Sequence, residues 1–416
     1  MTPVAGVDLI RSHFPALGRR HNGFPVAYFD GPGGTQVPRQ VADAVGDYLL
    51  HHNANTHWAY PTSIETDEAI QAARQALADW VGGAPDEIVF GANMTTLTLH
   101  LGRALGRGWR QGDALVVTEL DHHANSDTWR EVARERGLEV RVARMRPEDG
   151  TLDEDDLESK LDERVRLLAL GAASNALGTV NDVARLAARA RSVGALVFVD
   201  AVHYAAHQAP DVAAWGCDFL ACSAYKFYGP HVGVLWGRRD RIEALDAPRL
   251  EPAGSASPER LETGTLSHEG IVGAGAAIDF IASLAEGGRA YPRRTRLLRV
   301  SEALHARGQA LLGRLWSGLE SAPGVTLFGP PPGAPRTPTV AFVVKGLEAS
   351  DVASSLATRA AFVSHGDFYA TTVARVLGHE GDGLVRAGCA AYTTEEEVDR
   401  LIDGVHHVAK EGAPAP

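Results

Sequence analysis

The chain changes rhythm along its length. Between about residues 85 and 240, short apolar runs at 88–90, 115–117, 140–142, 165–170, 196–199, 219–222 and 232–236 alternate with stretches of helical periodicity. In 95–105 the apolar residues Leu97, Leu101 and Leu105 recur at i, i+4 and i+8, one face of a helix. Helices are also predicted at 125–136, 153–160 and 183–193. Continuous apolar runs are the signature of parallel strands covered on both faces, so this segment predicts an α/β fold with a mostly parallel, doubly wound sheet. Upstream, 7–16 reads as a short amphipathic helix, 26–29 as a strand, and 37–51 and 65–82 as helices around a polar, aromatic loop at 53–63. Beyond about residue 285 the pattern becomes a long helix (291–320), a Pro-rich turn (329–333), a strand (339–344), a helix (349–359), a strand (362–363) and a last helix (395–409). That is a smaller α+β unit, with the N-terminal helix packing back onto it. The expected division is a large domain over 25–285 and a small one from 1–24 with 286–416; the tail 412–416 is expected to fray.

Length supports two domains, because 416 residues exceed what one core usually organises. A net charge of −12 argues against nucleic acid or an anionic membrane as partner. Cys217, Cys222 and Cys389 are too few and too scattered for a disulfide framework, which points to a reducing compartment. The first residues carry an early acid and no apolar stretch of signal-peptide type, and no run reaches membrane-spanning length. A cytoplasmic protein is the expectation.

In a doubly wound sheet, ligands bind beyond the carboxyl ends of the strands. Several polar residues fall there: Asn93-Met94-Thr95-Thr96, Asp121-His122-His123, Ser174-Asn175, and Asp200-Ala201-Val202-His203. The first opens a helix, where it either caps the helix or receives a phosphate. His203 and His207 have helical i,i+4 spacing but lack the glutamate of a zinc-protease motif, and no metal site is expected. The Gly-rich loop Asp30–Gly34 follows a strand without the ending of a P-loop, and reads as a turn lining a site or as a plain turn.

Lys226 lies in Ser223-Ala224-Tyr225-Lys226-Phe227-Tyr228-Gly229-Pro230, between two apolar runs. A lysine there either reaches solvent from a strand end or is buried, with a lowered pKa, as a nucleophile toward a carbonyl. One cofactor accounts for the whole set. Pyridoxal phosphate asks for a lysine, a carboxylate at its ring nitrogen and a phosphate cup. Lys226 and Asp200 supply the first two, Asn175 and His203 could bond the ring hydroxyl, and His122 could stack on the ring.

These motifs resemble the class V aminotransferase group of fold type I enzymes, and among them the cysteine desulfurase and selenocysteine lyase group. The resemblance runs from Tyr28-Phe29-Asp30 to the Tyr392–Arg400 segment. It implies that Lys226 is the Schiff-base lysine, Asp200 the partner of the ring nitrogen and His122 the stacking residue. It implies phosphate contacts from Met94, Thr95 and Ser223, with Tyr225 standing where a histidine is usual and His203 where a glutamine is usual. Thr265, in Glu262-Thr263-Gly264-Thr265, matches a segment that reaches the partner subunit's phosphate, implying a homodimer. Arg386, in Val385-Arg386-Ala387-Gly388, matches the arginine that clamps the substrate carboxylate, a task suited to a bidentate guanidinium.

The chain departs from desulfurases in one loop. Tyr369, in Phe362–Ala370, stands at the position of the sulfur-attacking cysteine, and Ser364 stands where a second arginine is common. The expectation is therefore a lyase that cleaves a Cβ–S bond by Cα deprotonation and β-elimination without a persulfide-forming cysteine, with Tyr369 or His365 as proton donor. Aminotransferase or epimerase chemistry is the alternative, and a non-catalytic scaffold a third. Tyr60, with His57 and Trp58, lies in the loop that the resemblance places near the substrate.

Overall fold

A computed structural model describes residues 4–411. The predicted tail at 412–416 lies outside the described residues. The central feature is a seven-stranded sheet in the order Ile88–Gly91, Gly233–Gly237, Phe219–Ser223, Leu196–Asp200, Val165–Gly171, Ala114–Thr118, Glu139–Ala143. Only Gly233–Gly237 runs antiparallel to its neighbours; the other pairings are parallel. The central strands are buried on both faces, as their unbroken apolar runs require.

Helices cover both faces. Met94–Gly106 starts where the Asn93 side chain accepts a hydrogen bond from the Thr96 N–H (2.9 Å). It presses Leu97 and Leu101 onto the sheet beside Trp129 of His123–Arg136. The start of this helix approaches the sheet so closely that a Cβ on Gly233 would lie 2.4 Å from the Asn93 backbone, so only glycine fits there. On the other face, His268–Ser283 is apolar nearly all round and is buried against Pro61–Val81.

A four-stranded antiparallel sheet follows, in the order Val325–Phe328, Thr339–Val344, Leu384–Gly388, Ser364–Gly366. The helices Arg293–Glu320 and Glu395–Glu411 cover it, burying Leu312, Leu315 and Leu319 with Val398, Leu401 and Val405. The expected division at residue 25 cuts across contacts at its N-terminal edge. Ile10 and Phe14 pack into the core of the large sheet, whereas Ala27 and Phe29 join the core of the small one. There Ala27–Tyr28 pairs in parallel with Ala361–Phe362.

Several expected elements have other limits. The first helix stops at Ser12, and a short 3₁₀ turn begins at Pro15, whose ring disfavours helix in the residue before it. The 37–51 helix is Arg39–Asp47 continued by a π-type turn at Tyr48–His52. The next helix begins at Pro61 rather than 65, proline being well suited to a first turn. The strand expected at 362–363 is two short pieces, Ala361–Phe362 and Ser364–Gly366, which pair with different neighbours.

Candidate active site

Four chain reversals at the carboxyl ends of the parallel strands bring the polar residues together. Asp121 and His122 follow Ala114–Thr118, Asn175 follows Val165–Gly171, Asp200 ends its strand, and Lys226 closes the turn after Phe219–Ser223. All of them line one cleft of about 960 Å³, large enough for a cofactor and a small substrate. Met94, Thr95, His203, Ser223, Tyr225, Tyr369 and Arg386 line it too. So do Pro32 and Gly33, and the Asp30–Gly34 loop is therefore a wall of the cleft.

Lys226 is 8% exposed. Its ammonium donates to the carbonyls of Pro32 and of Gly33, the latter at 3.0 Å. Burial, with the nearby Arg386 charge adding to it, lowers the Lys226 pKa to about 7. Glycine at 33 lets the Asp30 carboxylate lie against the loop, since a Cβ there would meet it at 2.4 Å and push it aside. Burial raises the Asp200 pKa to about 6, although its carboxylate accepts from the Val202 N–H (2.9 Å). Asp121 lies deeper. It accepts from the Gly171 N–H (2.7 Å) and the Asn125 amide (3.0 Å), and burial followed by the charge of Asp200 raises it to about 8.

His122 is kept neutral, its pKa lowered to about 4 by burial first and Lys226 second. Its Nδ1 accepts from the Ala124 N–H (2.9 Å), capping the helix His123–Arg136 and fixing the ring. That ring stacks on Tyr369, with centroids 5.5 Å apart and planes at 22°. His203 is anchored from the small sheet, its Nε2 lying 2.9 Å from Thr337 Oγ1 and 3.2 Å from Thr339 Oγ1. Its Nδ1 and the Asn175 Oδ1 are buried without a hydrogen-bond partner. At the other end of the cleft, Ser223 Oγ accepts from the Met94 N–H (3.2 Å) at the start of Met94–Gly106. Tyr225 stacks on His231 with centroids 4.9 Å apart.

Arg386 is 4% exposed and makes two hydrogen bonds and one ion pair within the protein. Nε donates to Ser364 Oγ (3.2 Å), one terminal nitrogen donates to the Asn175 carbonyl (2.9 Å), and the other lies 3.5 Å from Asp30. A guanidinium has five N–H groups, so both terminal nitrogens keep N–H groups free of hydrogen bonds, and a carboxylate can take one from each.

Three residues singled out in the sequence do not join this cleft. Tyr60 is 46% exposed and does not line it. His365 pairs with Val385, whose side chain enters the core of the small sheet, while the cleft residue Arg386 pairs with Ser364. Strand alternation therefore turns His365 away from the cleft. Thr265 lines a neighbouring cleft that shares Thr96 and His231 with the first. Cys217, Cys222 and Cys389 are buried away from the cleft, their thiols pushed up by burial, Cys217 and Cys389 to about 12. The sequence reading missed Thr337 and Thr339, which no local pattern ties to His203, and Phe368, whose position no periodicity marks.

The arrangement fits pyridoxal phosphate. A lysine of lowered pKa and a buried carboxylate face one space. Two buried polar atoms there lack partners, which in native proteins calls for an explanation such as a bound group. A helix N-terminus at one end could receive an anion.

Comparison with known proteins agrees. Residues 27–401 match the family described as aminotransferase class V. A cysteine desulfurase of Pectobacterium carotovorum (strain PC1) is 35% identical over 421 residues, covering 97% of this chain and 98% of that one. The apo structure of a cysteine desulfurase from Thermococcus onnurineus NA1 superposes with a TM-score of 0.88 at 27% identity, covering 99% of this chain and 100% of the other. An Escherichia coli cysteine desulfurase, CsdA, in an S-sulfonic acid form gives 0.84 at 27% identity, covering 98% and 99%. The chain thus belongs to the class V aminotransferase family, in its cysteine desulfurase-like group of pyridoxal phosphate-dependent enzymes.

Proposed function

We propose that the chain is a lyase that breaks the Cβ–S bond of an amino acid after removing its Cα proton, with no persulfide-forming cysteine. One observation carries the reading. The mouth of the cleft holds Tyr369, 73% exposed and stacked on His122, in the loop where the resembling enzymes carry their cysteine, while all three thiols lie elsewhere and buried.

Lys226 would carry the cofactor, Asp200 would hold the ring nitrogen protonated, and Asn175 and His203 would meet the ring hydroxyl with their unpartnered atoms. His122, neutral and fixed, would cover the ring face. Met94, Thr95, Ser223 and Tyr225 would receive the phosphate. The free N–H groups on the terminal nitrogens of Arg386 would hold the substrate carboxylate, which would fix the Cα–H bond relative to Lys226. Bound there, the cofactor supplies an electron sink for the charge left on Cα. Once the substrate's amino group has taken its place on the cofactor, the freed Lys226 amine would take the Cα proton as general base. Tyr369, of the two expected donors the one that lines the cleft, gives a proton to the departing sulfur. The Cα–H and Cβ–S bonds break, and the products after hydrolysis are a thiol, pyruvate and ammonia.

We also infer that the enzyme is a homodimer in which Thr265 serves the partner's site. Supporting this, Thr265 lies outside its own lysine's cleft but beside the shared wall of Thr96 and His231. Leu49, Leu50, Trp58, Tyr60 and Ile64 are all exposed on one stretch of chain.

The site assignment is tested with Lys226→Ala. That protein is expected to fold, to lose the visible absorbance of covalently held cofactor, and to lose activity. A Lys226→Ala enzyme with the parent's spectrum and turnover would show that another residue carries the cofactor.

A further inference from the structure

The loop Gly366–Ala370 is bound to the cleft at four points. The Phe368 ring lies over the Arg386 guanidinium, with its centroid 4.1 Å from the central carbon. The Phe368 carbonyl accepts from the Asn175 amide (2.9 Å). The Tyr369 carbonyl accepts from the His123 N–H (2.7 Å), and the Tyr369 ring stacks on His122. The backbone bends sharply to do this. Phe368 and Tyr369 are consecutive residues in the left-handed region, at φ 57° and 56°, two residues after Gly366 at 109°. Bulky side chains adopt that region at a cost, and persist there where surrounding contacts hold them. Asp367 supplies such contacts, accepting from the Tyr369 N–H (3.0 Å) and the Thr371 hydroxyl (2.7 Å).

A ring stacked on a guanidinium face leaves its edge open. Both terminal nitrogens of Arg386 keep N–H groups free of hydrogen bonds, so Phe368 and a carboxylate can engage Arg386 together. Stacking in a desolvated site also fixes the plane of the cation. Tyr369 stands beyond it on the same wall of the cleft, its ring stacked on His122 and 73% exposed, an aromatic surface open to the side chain of a substrate anchored at Arg386.

We infer that Phe368 is a positioning residue for the substrate carboxylate, acting through Arg386, and that Tyr369 selects substrates whose sulfur bears a bulky apolar or aromatic group. The inference rests on the site assignment above and names the substrate class of that same site.

The test uses the holoenzyme and reads ligand binding from the visible spectrum of its bound cofactor. Cysteine and S-benzylcysteine are compared with cysteamine and S-benzylcysteamine, which lack the carboxylate. Phe368→Leu is expected to weaken both amino acids about tenfold and leave both amines and the cofactor affinity unchanged. Phe368→Tyr, which keeps the ring, is expected to restore parent affinity. Tyr369→Ala is expected to lower the preference for S-benzylcysteine over cysteine about tenfold. Equal weakening of amino acids and amines by Phe368→Leu, or no weakening, overturns the role of Phe368. An unchanged preference in Tyr369→Ala overturns that of Tyr369. Failure of the site assignment is separate, because it shows in Lys226→Ala retaining the cofactor's spectrum.

Discussion

Asp200 and Asp121 are buried carboxyls whose pKa the fold raises, and they make its stability depend on pH. A carboxylate with a raised folded pKa favours the folded state fully below its ordinary value and loses that contribution as pH rises through the raised one. For Asp200 the window runs from 3.8 to about 6, and for Asp121 from 3.8 to about 8. Lys226 has the opposite sign. Its depressed value favours folding increasingly between about 7 and 10.5. Buried His122 and His207, held neutral, also add stability as pH rises toward 6.5. Each variant must therefore be compared with the parent at the same pH. Cofactor-free Asp121→Asn is expected to gain stability relative to the cofactor-free parent as pH rises from about 5 to about 8, by at most about 1.4 kcal/mol per pH unit. Thermal melts at matched pH measure it, and a difference that stays flat across the window would mean that Asp121 is ionised throughout.

Among the elements, those with unbroken patterns were legible. Thr339–Val344 is six residues of continuous β-forming sequence, and its observed limits match the predicted ones. Leu384–Gly388 was not read as a strand, because a buried arginine sits in its middle and hides the alternation. Val385 and Ala387 enter the core of the small sheet, while Leu384 and Arg386 face the other way. Val325–Phe328 was missed because none of its residues is fully buried, so its apolar signal is short and weak. The cleft was legible wherever one of its lining side chains follows a strong strand, as with Asp200 and Asn175. Lys226 stood out for a related reason, its place between two apolar runs. Where contacts are long-range, the sequence is silent. The anchoring of His203 by Thr337 and Thr339 spans more than 130 residues. The Phe368–Tyr369 bend is set by Asp367, Asn175 and His123 together, and no single-residue propensity predicts it.

For the whole molecule, two sheets meet over the cleft, with Lys226 and Asp200 from one and Arg386 from the other. Among the described residues no helix is long and apolar enough to cross a membrane. In the proposed homodimer, the exposed Leu49, Leu50, Trp58, Tyr60 and Ile64 would seat the second copy. Leu50, 78% exposed, is the most informative position to change. The parent is expected to sediment at twice the chain mass. Leu50→Asp is expected to shift it toward one chain and to weaken cofactor binding, because each site would lose the partner's Thr265. A parent that is monomeric with full cofactor affinity would remove the shared site from the account.

The central claim concerns the fate of the Cβ–S bond, and product stoichiometry tests it most directly. The holoenzyme is given S-benzylcysteine as its only amino acid, with no keto-acid acceptor, and thiol, pyruvate and ammonia are quantified over time. The account predicts all three in equal amounts, with no sulfur left on the protein. Release of alanine in place of pyruvate, with the thiol held on the protein as a mixed disulfide, or release of a keto acid that still carries its sulfur, would contradict it.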